Sequence, residues 1–320
     1  MSKWTYSKAG VDIDKQRKME ENILKLVGSK TKGIGSYTSV FEINGKEVTL
    51  HVDGVGTKTI LLSMVGREDI AGWDCVFVNA NDVACEGFKV LAVVDYLAVE
   101  KSDEELARRI GQGLDKALRE VGAYLAGGET AIMPDVVRGF DISCTVLGIR
   151  EAKPSVPEPG DYVVGLASSG PHANGYTLIR RLIREGLLKL EDLMPEVIAP
   201  VTNYHNIVLE GMKTGVIKWA AHVTGGAFKK VHERLPTGLG IQYEYFEPPA
   251  IFKKIVEAAR MDPTEAYRTF NMGIGMVIIT KHPDKVLELS KKYAIEARPI
   301  GRVIEGPSKI QTPWGEVIIG

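Results

Sequence analysis

The sequence predicts an α/β (α+β) protein of two domains, and three observations carry that reading. With 320 residues, the chain is long enough for two domains of ordinary size, each burying its own core. Apolar runs at strand spacing and amphipathic runs at helical spacing alternate through both halves. Between the halves, Glu151 to Gly160 carries three prolines in ten residues. Such a stretch continues neither helix nor strand, so it divides the chain into residues 1–156 and 157–320.

Taken in order, residues 6–14 are polar and turn-like, and Lys15 to Val27 reads as an amphipathic helix with Met19, Ile23, Leu24 and Val27 on one docking face. Thr31 to Ser36 forms a glycine loop, either a nest of bare amides for phosphate oxygens or a flexible joint. Asn44-Gly45 joins two strand runs as a tight hairpin. Phe41, Ile43, Val48, Leu50 and Val52 fall at spacing two, which predicts a buried face. Beyond Cys75 to Val78, the residues Asn79 to Asp82 place Asp82 at a helix start, where an N-cap role is the plain alternative for Asn81 or Asp82. Val90 to Val99 predicts an interior strand, with Asp95 either hydrogen-bonded in the core or reaching a site.

Ser102 to Glu105 reads as a capping box, followed by Leu106, Ile110, Leu114, Leu118 and Val121 at helical spacing and a stop at Gly122. Tyr124 to Ala126 is a short strand running into an acidic glycine loop, Gly127 to Pro134, and Phe140 to Ile149 is another strand. The second half opens with the strand Asp161 to Ala167, the small-residue loop Ser168 to Gly175 and the helix Tyr176 to Glu185. A similar loop, His222 to Phe228, precedes the helix Lys229 to Arg234. Met276 to Thr280 is a strand entered through glycines, and the tail closes as a hairpin.

Chemistry concentrates at Asp53-Gly54-Val55-Gly56-Thr57-Lys58, an acid, two glycines, a hydroxyl and a lysine at a strand end. The run Thr59 to Met64 then turns its free N-terminal amides and positive dipole end toward the same loop. This suits a phosphate and a magnesium ion, although neither the P-loop nor the dinucleotide fingerprint matches. Read alone, the six residues equally make a tight turn with a solvated lysine.

Forty basic and forty-one acidic side chains, without runs of one sign, give no footprint for nucleic acid or an anionic membrane. No apolar stretch approaches the roughly 20 residues that span a bilayer, and no signal peptide opens the chain, so a cytoplasmic protein with a small-molecule substrate is expected. Cys75, Cys85 and Cys144 are scattered without a CxxC pair and read as buried reduced thiols. The six histidines show no zinc spacing.

Taken together, AGVDID at Ala9, DGVGTK at Asp53, Asn81-Asp82, GGETAIMP at Gly127, SSGPHANGY at Ser168, the TGG loop at Thr224 and YRTFNMGIG at Tyr267 resemble one family over nearly the whole chain. It is the phosphoribosylformylglycinamidine cyclo-ligase (aminoimidazole ribonucleotide synthetase) family. The resemblance implies a PurM-like ATP-binding N-terminal domain whose mixed sheet forms a barrel across a homodimer, and an α/β second domain binding substrate phosphate. It implies ATP and Mg²⁺, with phosphorylation of a formyl oxygen and ring closure by a nitrogen that expels phosphate. Carried onto this chain, it makes Asp53, Asp82 and Glu129 metal ligands and Lys58 the neutraliser of phosphoryl charge, with Asp53 and His172 in the catalytic set. Gly33, Gly35, Ser36, Gly54, Gly56, Thr57, Asn81, Gly128 and Thr130 would hold the nucleotide, and Asn174, Thr224, Gly225 and Gly226 the substrate. Residues 31–36 and the N-terminal segment are the expected lid. The chain departs from the family at Lys32, Ala173 and Ala227.

Related enzymes of the wider superfamily fit less well. A maturation protein with a C-terminal cysteine is disfavoured by the ending Val317 to Gly320, and a selenophosphate synthetase by the lack of cysteine before Cys75. The earlier amidine-forming synthetase is expected to show a duplicated chain, and no internal repeat is found. A non-catalytic nucleotide-binding subunit would keep the glycines and lose Asp53, Asp82, Glu129 and Lys58.

Overall fold

The computed structural model describes residues 4–27 and 38–319. Its first half is a five-stranded sheet in the order β1-β2-β5-β3-β4, built from β1 (Phe41–Ile43), β2 (Lys46–Gly54), β3 (Phe88–Val99), β4 (Tyr124–Ile132) and β5 (Phe140–Arg150). The Asn44-Gly45 turn forms as expected, with φ of 51° and 75° and Ile43 opposite Lys46. β5 runs antiparallel to β2 and β3, and β4 pairs with β3 in parallel. Helix α1 (Ile13–Val27) precedes the sheet, α2 (Lys58–Val65) and α3 (Asp69–Cys85) lie between β2 and β3, and α4 (Glu104–Val121) between β3 and β4. Gly72 of α3 and Gly113 of α4 let the two backbones touch, since a Cβ at either would strike the other helix's main chain.

After the proline-rich connection, the second half forms a seven-stranded sheet, β12-β11-β8-β10-β6-β9-β7, antiparallel except between β8 and β11. Its strands are β6 (Tyr162–Ala167), β7 (Trp219–His222), β8 (Leu239–Tyr243), β9 (Ile274–Thr280), β10 (Ala297–Glu305), β11 (Ser308–Thr312) and β12 (Gly315–Ile319). Helices α5 (Tyr176–Arg184), α6 (His205–Lys213), α7 (Ala227–Glu233), α8 (Ala250–Ala259), α9 (Pro263–Thr269) and α10 (Pro283–Lys292) accompany it. Residues 4–6 are strapped to this half: the Trp4 amide donates to Ala259 O at 3.0 Å and the Tyr6 amide to Glu265 Oε1 at 3.0 Å.

Several local expectations change. The face of β2 that packs on α3 carries Thr49, His51 and Asp53, while Leu50 and Val52 are exposed on the other. Spacing two identifies a two-faced strand but not which face the helices cover. Cys75 to Cys85 is not a run leading to a helix start: α3 passes through it unbroken, so Asp82 sits inside a helix and caps nothing. A helix buried on nearly all sides is apolar all round and carries no amphipathic signature. At α4 the cap is Asp103, whose carboxylate accepts from the Leu106 amide at 2.9 Å, in place of Ser102. The acidic glycine stretch Gly127 to Ile132 is strand, accommodated by a register shift opposite Val93 and Val94 and by Gly127 at φ 146°. On α1, Met19 and Ile23 are exposed, so the apolar stripe docks on nothing within the described residues.

Cys75 of α3 and Cys144 of β5 form a disulfide, their Cα atoms 5.6 Å apart, which overturns the reading of three reduced thiols. Sixty-nine residues separate them, so sequence spacing conceals the pair. Cys85 alone is free among the described residues, and burial raises its thiol well above the ordinary value.

Candidate active site

The two halves meet over the helix-covered face of the first sheet. His51 and Asp53 share that face of β2, and Asn79 and Asp82 stand one turn apart on α3. The Asn79 amide donates to Asp53 O at 3.1 Å and to Cys75 O at 2.8 Å, tying strand to helix. Its Oδ1 lies 2.8 Å from His51 Nδ1, which therefore carries the proton and leaves Nε2 facing Asp82 Oδ2 at 3.6 Å. From the second half, His222 at the end of β7 donates from Nδ1 to Asp82 Oδ1 at 2.6 Å. Lys230 of α7 places Nζ 3.7 Å from Asp82 Oδ2 and donates to Thr224 Oγ1 at 3.0 Å. Asp82 thus joins the two halves.

The two carboxylates differ in electrostatics. Burial alone would raise Asp82, but the Lys230 charge, the hydrogen bond from His222 and the two neighbouring imidazoles overrule it and hold the carboxyl below its ordinary value. Asp53, accessible at the mouth yet walled by protein, is pushed up by lost hydration and by the Asp82 charge. Asp53 therefore gains most from an arriving cation.

His172 is buried in the second half, at φ 59°, its ring centroid 5.9 Å from Tyr204 and 6.2 Å from His222. Gly275 makes room for it, because a Cβ there would overlap both the Tyr204 hydroxyl and the His172 ring. Burial and the neighbouring His222 depress its pKa well below the ordinary value, so the imidazole is neutral, and its Nδ1 is buried without a hydrogen-bond partner. Asn174 stands beside Gly225, and the Thr224-Gly225-Gly226 loop reaches the acids through Lys230.

Other expected residues lie elsewhere. Lys58 does not face the cleft: its Nζ is fully buried, 2.6 Å from both Asp74 Oδ2 and Ala199 O. Asn81 is fully buried, and its amide bridges the backbone of Thr202 and Tyr204, at 2.9 and 2.8 Å, in place of facing a nucleotide. The register Asp53↔Cys144↔Asp95↔Gly128 sets Gly128 three strand spacings from Asp53, roughly 14 Å. Glu129, one residue on, projects from the opposite, exposed face, and Thr130 sits beside it on the edge strand. Within one protomer, Glu129 cannot share an ion with Asp53 and Asp82. Gly54 and Gly56 flank Asp53 at the strand end, and Thr57 Oγ1 lies 3.0 Å from Thr177 Oγ1 of α5. Gly33, Gly35 and Ser36 lie outside the described residues. His51, Asn79, His222 and Lys230 were missed in the sequence. His222 opens the recognised loop His222 to Phe228, Asn79 opens the stretch that ends at Asp82, and His51 stands two residues before Asp53, but no role was read for any of them.

Two carboxylates, a neutral histidine and a lysine around a cleft suit a polyphosphate arriving with a divalent ion. Among the described residues no three His, Cys, Asp or Glu side chains converge as a ready metal site. Two carboxylates fit magnesium, which commonly takes its remaining ligands from phosphates and water.

Known proteins point the same way. Residues 35–150 match the family model for the AIR synthase related protein N-terminal domain, and residues 158–312 that for its C-terminal domain. The chain is 43% identical over 306 residues to the phosphoribosylformylglycinamidine cyclo-ligase of Saccharolobus solfataricus, covering 94% of this chain and 92% of that protein. It is 36% identical over 324 residues to the protein of that name from Methanocaldococcus jannaschii, with coverages of 94% and 92%. Among solved structures, a chain of the HypE–HypF complex superposes with a TM-score of 0.69 at 20% identity, covering 94% of this chain and 98% of that one. AaThiL complexed with AMPPCP and TMP superposes at 0.62 and 18%, covering 93% of each chain. At these identities the likeness shows a shared fold.

Proposed function

This chain belongs to the AIR synthase related family, and from that premise we propose that it closes the imidazole ring of 5-aminoimidazole ribonucleotide. The substrates are formylglycinamidine ribonucleotide and ATP, and the products are the aminoimidazole ribonucleotide, ADP, phosphate and a proton. One observation carries the reading: Asp82 of the first half is bonded to His222 and faces Lys230 of the second, so acids and substrate loop share one cleft.

The formyl oxygen attacks the γ-phosphorus of ATP and the bond to ADP breaks, which makes that oxygen a phosphate leaving group. The amidine-side nitrogen then attacks the formyl carbon, and the C–O bond breaks to release phosphate. Phosphoryl transfer asks chiefly for positioning and charge neutralisation. Asp53 and Asp82 would hold Mg²⁺ with the nucleotide, shielding phosphate charge, and Lys230 takes the neutralising place that Lys58 cannot reach. His172 is neutral, and because its Nε2 accepts the Thr202 amide at 3.5 Å its proton sits on the unpartnered Nδ1, equipped to donate to an acceptor on the substrate. Thr224, Gly225, Gly226 and Asn174 orient the substrate, while Gly54, Gly56 and Thr57 border the phosphates. We read residues 1–156 as the nucleotide-binding and dimerising unit and 157–320 as the substrate-binding unit. The exposed apolar face of the first sheet supports a homodimer.

Incubation with ATP, Mg²⁺ and formylglycinamidine ribonucleotide should yield ring product and phosphate in equal amounts. ATP consumption without ring product would move the chain to another activity of the superfamily. Asp53→Asn should cut turnover at least about 100-fold with the thermal midpoint unchanged, because the residue is accessible and its charge is repelled by Asp82. Near-normal turnover would strike Asp53 from the ligand set.

A further inference from the structure

A second cavity, of about 230 Å³, has Gly226 in its wall together with Tyr6, Ser7, Lys229, Arg268 and Thr269. Its charges are nearly all spoken for. Arg17 holds Glu233 with two hydrogen bonds, and Lys229 shares that carboxylate at 3.5 Å. Glu265 accepts the Tyr6 amide, and Asp12 accepts the Lys15 amide at 3.1 Å. Arg268 is the exception: its Nε is buried with no hydrogen-bond partner, and the guanidinium makes no ion pair among the described residues. The rest of the half-buried guanidinium lines the cavity, while the Nε donor is shut off from water and is costly to leave unmet unless an acceptor completes it. Around it stand two hydroxyl donors, Ser7 and buried Thr269.

Size and position narrow the ligand. Sites for whole drug-sized molecules run from roughly 300 Å³ upward, so this cavity takes one end of a molecule. A guanidinium fork beside hydroxyl donors is suited to a tetrahedral oxyanion, which offers more acceptors than a carboxylate. Gly226 belongs both to this wall and to the loop that Lys230 ties to Asp82. An anion here is therefore the tail of whatever reacts in the cleft.

We propose that Arg268 receives the phosphate monoester of the ribonucleotide substrate in this cavity, an assignment that rests on the ring-closing reading above. The ribose then spans the Gly226 loop, and ATP enters from the Asp53 side. Residues 6 and 7 supply part of the phosphate wall, which explains why the N-terminal strap is fastened to α8 and α9 and not to its own sheet.

The test compares formylglycinamidine ribonucleotide with its dephosphorylated nucleoside in the wild type, Arg268→Gln and Arg268→Lys. Loss of a charge-assisted bond predicts a fall in kcat/KM of roughly 10- to 100-fold for the ribonucleotide with Arg268→Gln. Arg268→Lys, keeping charge but losing the fork, should fall between, and neither should alter the slow nucleoside reaction or the KM for ATP. An equal loss with both substrates, or none with the ribonucleotide, overturns the assignment. If the wild type makes no ring product, the ring-closing reading fails by itself, and a titration with inorganic phosphate followed by ³¹P NMR decides the cavity. Saturable binding in the wild type that Arg268→Gln abolishes upholds a phosphate site, and binding that survives the substitution ends it.

Discussion

Lys58 and Asp74 are both fully buried, and their 2.6 Å contact is completed by Ala199 O on the cation and the Val201 amide on the acid. Burial pushes the lysine down and the acid up, while mutual attraction opposes both shifts. Breaking such a pair strands one charge, whereas replacing both partners by apolar groups is tolerated. Lys58→Met should therefore destabilise the fold by about 3–5 kcal/mol in urea unfolding, and adding Asp74→Leu should recover most of that loss. A Lys58→Met protein of unchanged stability but no turnover would return the lysine to the chemistry. The motif around it was legible because an acid, two glycines, a hydroxyl and a lysine cluster in six residues at a strand end, although a structural lysine fits the same spacing. Which of those side chains faced the cleft was not legible, since that depends on Asp74 and the 199–201 segment arriving from distant parts of the chain.

At the scale of elements, the first hairpin, helices α1, α2, α4, α5 and α7, strands β6 and β9 and the closing β11-β12 pair could be read from turn chemistry and periodicity, whereas β8, β10 and helices α6, α8, α9 and α10 had no reading. α3 resisted because a helix enclosed by β5, α4 and α6 shows no polar face. Its position matters to the site. Cys75 lies one turn before Asn79 and two before Asp82, and Cys144 is the register partner of Asp53. The disulfide thus ties the helix carrying one acid to the strand beside the other. Closing a loop of 69 residues restricts the unfolded chain by about 4 kcal/mol in the entropic account. Alkylation in guanidinium without reductant should label one thiol, Cys85, and three after reduction. Cys75→Ala should lower stability by a few kcal/mol. Three labelled thiols before reduction would show that the bond does not form in the purified protein.

At the scale of the whole molecule, one face of the first sheet and one junction between the halves remain to be explained. Val52 is 64% exposed, Ile132 58% and Leu50 49%, beside Val94 and Tyr96, so large apolar side chains cluster on one exposed face of the sheet, as at interaction sites. A homodimer through this face predicts a sedimentation mass of twice 35.0 kDa, and Val52→Lys should shift it toward the monomer. A wild-type monomer would leave the face without its proposed partner. The junction is held by His205 of α6, whose Nε2 accepts the Val90 amide of β3 at 3.2 Å while Nδ1 donates to Asn206. Burial brings its pKa down from 6.5 to about 4, so the folded protein keeps the ring neutral where an unfolded chain binds a proton. The stability this residue contributes is therefore full above pH 6.5, falls as the pH drops, and levels off near 4, when the folded state also takes up the proton. At pH 5 the deficit from this residue is about 2 kcal/mol, since each pH unit below 6.5 costs about 1.4 kcal/mol while only the unfolded chain is protonated. His205→Gln keeps an acceptor for Val90 and has no proton to gain. Its denaturation midpoint should fall less than the wild type's between pH 7 and pH 5, and equal falls would show that the junction does not titrate through His205.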